Sequence, residues 1–428
     1  MNTALRREIE DVANASSPIE PTTTAAELLV CLRAIGQALM ASGNAVSLVE
    51  DTLSEIAARH GVPCEIAVLP NILMIRLGES ASAVLDVSTQ RLTSLRLDQM
   101  SDLAVLIDQL KQRFLTPLEA AKRVENIRSA APRFGPLSMV GGYTLLVIGL
   151  TVRMRPAWDA LLVTGVLGLL VGLLLVWFRW YPRFALLLPV LAALIVSALT
   201  FYTTRLGWIV GPANLIIPPL VTFLPGVTMT IGMMELASGH LLSGSSRLIY
   251  GGTSLFLLFS GIAMGVAIAG VAPSLVYEYA PVTYPWWASI LGTLLYGLGL
   301  FIYLSGANRD LGWMLLVLFV AMLGQGLGES YFGAYVGTFL GALLLGICAD
   351  MIARLPRGTP ALASWVPGFW FLVPGSRGVV SFTNLLGQNY LESLVAFGQM
   401  IALLVAISLG ILLATLLVAP RRTERTGI

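Results

Sequence analysis

Polar and ionisable side chains are concentrated at two places in an otherwise apolar part of this chain. Each place follows a proline-glycine pair: Pro225-Gly226, and then Pro374-Gly375, 149 residues further on. The side chains that follow the two pairs and can hydrogen-bond or carry charge are Thr228, Thr230, Glu235, Arg247, Ser376, Arg377 and Asn384. Hydroxyls, amides and charges beside helix ends suit a small zwitterion, because helix N-termini attract a carboxylate and exposed carbonyls attract an ammonium.

The two proline-glycine pairs predict two broken helices. Proline removes a backbone donor and glycine loosens the helix, so each pair frees backbone groups that survive at membrane depth only in protein or in a wet cavity. Matching breaks in two halves of a membrane protein indicate a transporter's binding site. We therefore expect Pro225, Gly226, Pro374 and Gly375 to frame one site near the midplane. The alternative is that both pairs are ordinary kinks.

Glu235 is the candidate proton carrier. It is the only acid between the first break and the next long apolar segment, and an ionisable group inside a membrane usually marks a transport pathway. The hypothesis is that Glu235 couples proton entry to substrate exit, with Arg247 or Arg377 as its charge partner. In the alternative interpretation, residues 234–247 form a cytoplasmic loop in which Glu235 and His240 are solvated.

Other candidate residues favour structural roles. Asp350 precedes Arg354 at the end of an apolar segment and is interpreted as an interfacial charge. Gly333, Gly337 and Gly341 form a stripe of small residues that is typical of helix packing.

The sequence gives no sign of an enzyme or of a cofactor or metal site. It has no P-loop, no GxSxG motif and no HExxH motif, and its three cysteines are far apart. A serine hydrolase built from His240, Ser243 and Ser245 is the weak alternative. The net charge of only +2 argues against a nucleic-acid partner.

Composition separates a soluble head from a membrane body. The mean hydropathy is +0.81, and 56% of the residues are hydrophobic. Residues 1–136 nevertheless contain 13 of the 26 basic and 16 of the 24 acidic residues. We predict a disordered tail over 1–24, a small cytoplasmic α+β head over 25–136, and a multi-span α-helical membrane domain after it. No signal-peptide pattern is evident at the N-terminus.

The head pattern predicts two helices, a hairpin with a third strand, and two more helices. Apolar faces recur over 25–41 and again after Ser42-Gly43-Asn44, where Asn44 is a candidate N-cap. The apolar runs 64–69, 72–77 and 83–87 predict the strands. Helices are expected over 99–114 and 117–131, the last with Thr116 as N-cap and Glu119 completing a capping box.

Apolar segments predict about ten membrane spans in the body. They are 137–152, 157–178, 184–203, 206–224, 249–272, 286–304, 311–328, 331–350, 361–382 and 395–418. With both termini inside, fourteen basic residues, Arg247 among them, face the cytoplasm, and four face out: Arg153, Arg155, Arg205 and Arg377.

The spans divide into two five-helix repeats, 137–285 and 286–420, followed by a cytoplasmic tail over 421–428. Five is an odd number, so the second half enters the membrane with opposite orientation. The sequence therefore predicts inverted repeats and alternating access. It is also compatible with a homo-oligomer.

Three motifs in one order resemble the threonine/serine exporter family. The head segment Ser42-Gly43-Asn44-Ala45-Val46-Ser47-Leu48-Val49-Glu50 resembles its head signature, with Ser42, Gly43 and Glu50 as motif residues. Leu224-Pro225-Gly226-Val227 with Gly239–Arg247, and Leu372-Val373-Pro374-Gly375-Ser376, resemble its two proline-glycine motifs. The family usually has Asp where Glu235 stands and commonly an acid where His240 stands.

This resemblance implies a bacterial inner-membrane exporter of L-threonine and L-serine, driven by the proton motive force, with the lipid bilayer, protons and the amino acid as its partners. It also implies an alternative substrate, a small dicarboxylate such as succinate. A membrane-embedded hydrolase or a head-driven sensor is the alternative from a different class.

Overall fold

The computed structural model describes residues 23–78, 83–89, 94–154, 158–209, 211–272, 276, 285–355, 361–372 and 376–418. The chain forms two compact units. The first comprises the chain up to Leu95 together with Asp102–Ala130, and the second comprises Arg96–Ser101 together with the chain from Ala131 onward.

The first unit is an α+β fold built from a three-stranded sheet and its helices. In chain order, the elements are α1 (Thr23–Ala41), α2 (Val46–Arg59), β1 (Cys64–Leu69), β2 (Ile72–Leu77), β3 (Val84–Thr89), α3 (Leu97–Lys111), whose first turn belongs to the second unit, and α4 (Pro117–Ser129). The sheet is antiparallel, in the order β1-β2-β3, with Ile66 opposite Ile75 and Ile75 opposite Asp86. The small strand domain and its flanking helices confirm the α+β pattern predicted from sequence.

Apolar spacing explains the core of this unit. The faces predicted for α1 and α2 are buried, and Leu73 and Ile75 of β2 lie in the same cluster. A complete capping box between Thr116 and Glu119 begins α4, as predicted. The prediction for α2 was wrong by one residue: its N-cap is Ala45, while the side-chain amide of Asn44 donates to the Leu39 carbonyl and so helps to close α1.

The second unit is helical and apolar. Its helices are α5 (Pro136–Met154), α6 (Trp158–Trp180), α7 (Leu188–Arg205), α8 (Ala213–Leu220), α9 (Gly226–Ala237), α10 (Leu241–Ala269), α11 (Trp286–Tyr303), α12 (Leu311–Phe332), α13 (Ala334–Ala353), α14 (Ala361–Leu372), α15 (Ser376–Leu386) and α16 (Tyr390–Val418). Among the described residues, seven helices are long and apolar enough to cross a membrane, or eight if the bent pair around α8 and α9 is one span. This is a multi-span helical membrane protein.

Two predicted segments differ from the helices observed. The segment expected over 206–224 is the short helix α8 with a 3-10 turn, Val221–Phe223, and the chain continues as α9. The segment expected to begin at 249 is α10, which begins at Leu241. Serines and glycines lower the hydropathy of its first turns, but these residues are compatible with a helix that packs closely against α9.

Helices α7 and α10 run parallel, and the chain between them contains α8 and α9. A Cβ on Gly261 would lie 2.4 Å from the Val190 carbonyl oxygen, and one on Gly265 would lie 1.9 Å from the Ser197 hydroxyl. At the ends of the two helices, the Arg205 guanidinium donates to the Ala269 carbonyl at 3.2 Å. Because both helices run in one direction, the chain between them must return along their length. The bent pair makes this return, which favours a broken span over a re-entrant loop.

The same arrangement recurs 149 residues later, between α13 and α16. A Cβ on Gly410 would lie 2.7 Å from the Phe339 carbonyl oxygen, and one on Gly346 would lie 2.5 Å from the Ala414 Cβ. The Arg354 guanidinium donates to the carbonyl of Val418. Each contact has its partner in the first half at an offset of 149.

Helices α5 and α11 cross at glycines and run antiparallel. A Cβ on Gly149 would lie 2.2 Å from the Tyr296 backbone nitrogen and 2.8 Å from the Gly292 carbonyl oxygen. A Cβ on Gly299 would lie 2.7 Å from the Gly142 carbonyl oxygen. Gly142 and Gly149 are repeated as Gly292 and Gly299 at an offset of 150, one more than in the other helices, and the crossing is symmetric under exchange of α5 and α11.

Candidate functional site

The first proline-glycine pair breaks its span sharply. Residues 214–223 and helix α9 meet at 65°, and Pro225 is the N-cap of α9. The backbone of the break is enclosed, since both Pro225 and Gly226 are buried. The Tyr143 hydroxyl donates to the Pro219 carbonyl at 2.8 Å. Protein groups thus satisfy irregular backbone at membrane depth, as such a break requires.

Glu235 and Arg247 form a buried ion pair beyond this break. The Arg247 Nε donates to the Glu235 Oε2 at 3.0 Å. The Glu235 side chain is 0% exposed and that of Arg247 is 15% exposed. Glu235 lies in the last turns of α9 and Arg247 in the first turns of α10. The cytoplasmic-loop interpretation is therefore wrong for Glu235, and the turn between the two helices comprises only residues 238–240.

Close packing of α9 on α10 holds the two charges together. A Cβ on Gly244 would lie 2.6 Å from the Gly232 carbonyl oxygen. A Cβ on Gly232 would lie 3.0 Å from the Arg247 Cβ. The backbones of α9 and α10 meet at these two glycines. Gly232 lies about one turn before Glu235 in α9, and Gly244 lies about one turn before Arg247 in α10.

The two predicted threonines differ in their surroundings. Thr228 is half-buried. Thr230 is fully buried, and its carbonyl accepts from the Ser408 hydroxyl of α16 at 3.2 Å. Its own hydroxyl has no hydrogen-bond partner among the described residues. Thr230 therefore joins the first broken span to the last helix of the second half.

The second proline-glycine pair, Pro374-Gly375, lies outside the described residues. Helix α14 ends at Leu372 and α15 begins at Ser376, on either side of the pair, within the segment predicted as one span over 361–382. The Tyr296 hydroxyl donates to the Pro367 carbonyl of α14 at 3.0 Å. In each half a tyrosine thus donates to a proline carbonyl, although Tyr143 and Tyr296 are 153 residues apart. Ser376, at the start of α15, is half-buried.

Helices α15 and α16 repeat the packing of α9 and α10 with different side chains. Where Gly232 meets Gly244, the second half has Ser381 and Ser393, whose contact is a hydrogen bond of 2.7 Å from the Ser381 hydroxyl to the Ser393 carbonyl. The turns match as well, since Gly239 and Gln388, 149 residues apart, both have positive φ, at 87° and 63°.

A cavity of about 230 Å³ lies beside α15 and α16. It includes the predicted residues Arg377 and Asn384, and its lining is Arg377, Val380, Asn384, Asn389, Glu392, Val395, Ala396 and Gln399. Sequence reasoning noted Asn389 and Glu392 only as part of a polar stretch and missed Gln399. Their helical spacing was the available signal, because residues 389, 392, 396 and 399 fall on one face of a helix.

The head-motif residues have structural partners within the first unit. The Ser42 hydroxyl donates to the Ala38 carbonyl at 2.9 Å, at the end of α1. Gly43 has a φ of 81°, which favours glycine. The Glu50 carboxylate accepts from the Val68 backbone nitrogen at 2.9 Å and so fastens α2 to β1. Through these contacts, the motif ends α1 and positions α2.

The glycine stripe is a packing feature in part. Cβ atoms on Gly337 and Gly341 would lie 2.7 Å from the Gln325 carbonyl oxygen and 3.1 Å from the Ala321 carbonyl oxygen, which places both glycines against α12. Gly333 has another role, because it ends α12 with a φ of 88° and nothing lies within 4 Å of its Cβ position.

Comparison with known families agrees with this architecture. Residues 30–269 match a family described as putative threonine/serine exporter, and residues 311–417 match a second described as threonine/serine exporter. The chain belongs to the threonine/serine exporter family. The first match comprises the head and the first set of spans, and the second lies within the second set.

Curated relatives of this family member are fungal. Pheromone-regulated membrane protein 10 of Candida albicans is 22% identical over 92% of this chain and 38% of its own length. The protein of the same name in Eremothecium gossypii is 24% identical, over 84% of this chain and 52% of its own length. An uncharacterized protein of Schizosaccharomyces pombe is 25% identical, over 92% and 55%. The chain thus spans about half or less of these relatives. No solved structure matches it.

Proposed function

We propose that the chain is a secondary active exporter of small hydroxy amino acids, L-threonine and L-serine, driven by the proton motive force through alternating access. The observation that carries the proposal is the Glu235–Arg247 ion pair. It closes the joint between a broken span and the next helix, and the carboxylate is fully withdrawn from solvent. Family membership supports the exporter class.

The proposal includes ten spans arranged as inverted repeats. Two apolar elements add to the eight spans counted by length: α11, and the pair of α14 with α15. Supporting features are the parallel packing of α7 with α10 and of α13 with α16, and the antiparallel crossing of α5 with α11. An odd number of crossings per half produces this combination.

We propose that the transport pathway passes the first break at mid-depth. Helix α9 has 12 residues, which is about 18 Å at 1.5 Å per residue and somewhat more than half of a ~30 Å hydrocarbon core. A helix of this length that starts at one membrane surface would end within the middle third of the bilayer, which supports this position for the first break. We propose that Pro225, Gly226, Thr228 and Thr230 line the pathway from one half.

Protonation of Glu235 is the proposed coupling step. A neutral carboxylic acid no longer balances the guanidinium of Arg247, and an unbalanced buried charge is strongly destabilising. Protonation would therefore favour separation of α9 from α10 and hydration of Arg247. Loss of the proton would restore the pair and close the joint. Each cycle would exchange one proton for movement of the substrate through the opened joint.

The remaining assignments belong to the same proposal. Residues 25–136 form a cytoplasmic head and both termini lie in the cytoplasm, consistent with the basic residues counted from sequence. The two repeats are 137–285 and 286–420. The location is a bacterial inner membrane. The chain is a transporter and not an enzyme.

Transport assays test the proposal. Purified protein in proteoliposomes should accumulate radiolabelled L-threonine when a proton gradient is imposed, and an uncoupler should abolish the accumulation. L-serine should compete, whereas succinate should not. Flux that ignores the uncoupler would contradict proton coupling. Accumulation of succinate in place of threonine would reassign the substrate to dicarboxylates, and the absence of flux for every substrate in the panel would contradict the exporter function.

A further inference from the structure

The cavity beside α15 and α16 is lined by two opposite charges that do not pair with each other. Arg377 and Glu392 both line it. Within the described part of the chain, neither side chain has a hydrogen bond or an ion pair. Arg377 is half-buried, whereas Glu392 is exposed at the rim, and a half-buried charge without a partner is unfavourable next to apolar helices. A ligand that carries both charges would compensate them together.

The internal repeat shows how this cavity arises. At the offset of 149, the ion-paired Glu235 corresponds to Asn384, and Arg247 corresponds to Ala396. The first-half pair therefore has no equivalent in the second half, and the short side chain of Ala396 leaves the space that an arginine occupies in the first. The charged residues of the second half occupy other positions of the repeat.

The new positions separate the charges instead of joining them. Arg377 corresponds to Thr228, and Glu392 corresponds to Ser243. Arg377 lies at the start of α15, and Glu392 lies in the first turn of α16. The first half thus joins its two charges in an ion pair, whereas the two charges of the second half line one cavity without forming an ion pair.

We propose that this cavity is the amino-acid subsite of the exporter, an assignment that rests on the proposed function and deepens it. The Arg377 guanidinium binds the α-carboxylate, for which its planar fork is well suited. The Glu392 carboxylate accepts hydrogen bonds from the ammonium. Asn384, Asn389 and Gln399 provide amides for a side-chain hydroxyl. The cavity volume of about 230 Å³ is below the range of roughly 300–1,000 Å³ typical of drug-sized ligands. A cavity of this size suits a ligand smaller than a drug, such as an amino acid.

The same charges explain selectivity. A dicarboxylate would bring a second negative charge against Glu392, and such a repulsive element excludes a competitor more effectively than a weaker attraction does. The subsite therefore discriminates between a zwitterion and a dicarboxylate of similar size through one residue, Glu392.

Site-specific labelling tests the assignment in full-length protein. In a variant with Cys31, Cys64 and Cys348 replaced by serine, Val395→Cys places one thiol in the cavity lining. Leu391→Cys, 73% exposed and outside the lining, is the matched control. L-threonine should slow the labelling of Val395→Cys severalfold and leave Leu391→Cys unchanged. Threoninol, which lacks the carboxylate, and 3-hydroxybutyrate, which lacks the ammonium, should give no protection.

Two outcomes overturn the subsite without affecting the exporter function. One is that L-threonine leaves the labelling rate of Val395→Cys unchanged in proteoliposomes that transport threonine. The other is equal protection by 3-hydroxybutyrate, which would remove the role of Glu392. If the parent protein transports no amino acid but L-threonine still protects Val395→Cys, the exporter function fails and the binding site stands.

A substitution series gives the second readout. Glu392→Gln should raise the half-saturating threonine concentration by about tenfold, because one charge-assisted hydrogen bond to the ammonium is lost. It should also narrow the preference for threonine over succinate, whereas Glu392→Asp should retain that preference. An unchanged preference in Glu392→Gln would exclude Glu392 from recognition.

Discussion

At the residue scale, Glu235 and Arg247 depend on each other. Removing one member of a buried pair leaves the other charge uncompensated, whereas removing both can be nearly neutral. The two side chains are 0% and 15% exposed, so desolvation makes this dependence strong. Protonation of Glu235 removes its negative charge, and so does substitution by glutamine. The Glu235→Gln variant therefore mimics the protonated state of the proposed coupling step.

We expect Glu235→Gln to abolish gradient-driven accumulation of threonine and to spare exchange, because exchange needs no net proton movement. The substitution should also lower the unfolding free energy by on the order of 3 kcal/mol, measured as a lower melting temperature in detergent. Glu235→Gln combined with Arg247→Gln should recover much of that stability but none of the accumulation. If Glu235→Gln accumulates threonine as well as the parent, Glu235 has no coupling role.

Sequence alone could identify Glu235 but could not choose its partner. Arg247 and Arg377 both lie near a break, and selecting between them depends on how α9 turns into α10. Glycines and serines near His240 have low hydropathy, which is typical of a loop. The sequence therefore did not show that the turn between α9 and α10 is short. The roles of the head-motif residues were likewise beyond the sequence. Ser42 and Glu50 form local structural hydrogen bonds that the one-dimensional pattern does not show.

At the element scale, the approach of α9 to α10 depends on two glycines. A Cβ on Gly244 would lie 2.6 Å from the Gly232 carbonyl oxygen and 2.8 Å from the Leu236 backbone nitrogen. Backbone atoms cannot move aside as the end of a side chain can. The helices must therefore separate if this position gains a methyl group, and the Glu235–Arg247 pair would separate with them.

We predict that Gly244→Ala destabilises the protein by about 1–3 kcal/mol, as overpacking does, and greatly reduces threonine transport. Gly252→Ala on the same helix is the matched control, because nothing lies within 4 Å of its Cβ position. Melting temperature and initial transport rate measure both effects. Equal behaviour of the two variants would show that the glycine contact does not maintain the joint.

The head unit has an electrostatic contact between α2 and α3. Partial burial raises the pKa of Glu55, but hydrogen bonds and charges from Lys111 and Arg59 outweigh it, so that the pKa is lowered. The Lys111 Nζ lies 2.5 Å from Glu55 Oε2. A lowered folded-state pKa gives stability that is complete above the unfolded value of about 4.3 and is lost as the pH falls through the folded value.

We therefore expect amide hydrogen exchange in α2 and α3 to accelerate, after correction for intrinsic rates, as the pH falls from neutral through the range of carboxylate titration. Glu55→Gln should exchange faster at neutral pH and should show a flatter pH response. Glu65→Gln is the control, since its ion pair with Arg76 leaves the glutamate side chain 75% exposed. A parallel pH response in both variants would attribute the effect to other carboxylates.

At the scale of the whole molecule, hydropathy predicted the long helices well and the broken ones poorly. Uninterrupted apolar segments such as 157–178 and 395–418 match α6 and the main part of α16. The elements around both breaks combine prolines with short helices, so their bounds depend on tertiary contacts. The parallel packing of α7 with α10 was not accessible either, because it rests on the close approach of Gly261 and Gly265 to another helix.

The spacing of the breaks was nevertheless informative, since 149 residues also relate many contacts observed in the fold. Arg205 donates to Ala269, and Arg354 donates to Val418. The two arginines lie at the ends of α7 and α13 and donate to carbonyls at the ends of α10 and α16. Corresponding contacts in two halves are expected of a duplicated unit. They leave open on which side of the membrane each arginine lies, and a topological measurement decides it.

Leu206 and Leu355 provide that measurement, because they follow the two arginines at the same offset and are similarly exposed, at 48% and 47%. We predict that Leu206→Cys, in the variant without native cysteines, reacts with a membrane-impermeant thiol reagent in intact cells. Leu355→Cys should react only after permeabilisation, because an inverted second half places the end of its third helix on the cytoplasmic side. Labelling of both positions from the same side would mean that the halves are parallel repeats. In that case the proposed number of spans per half would be wrong, and with it the symmetry on which alternating access depends.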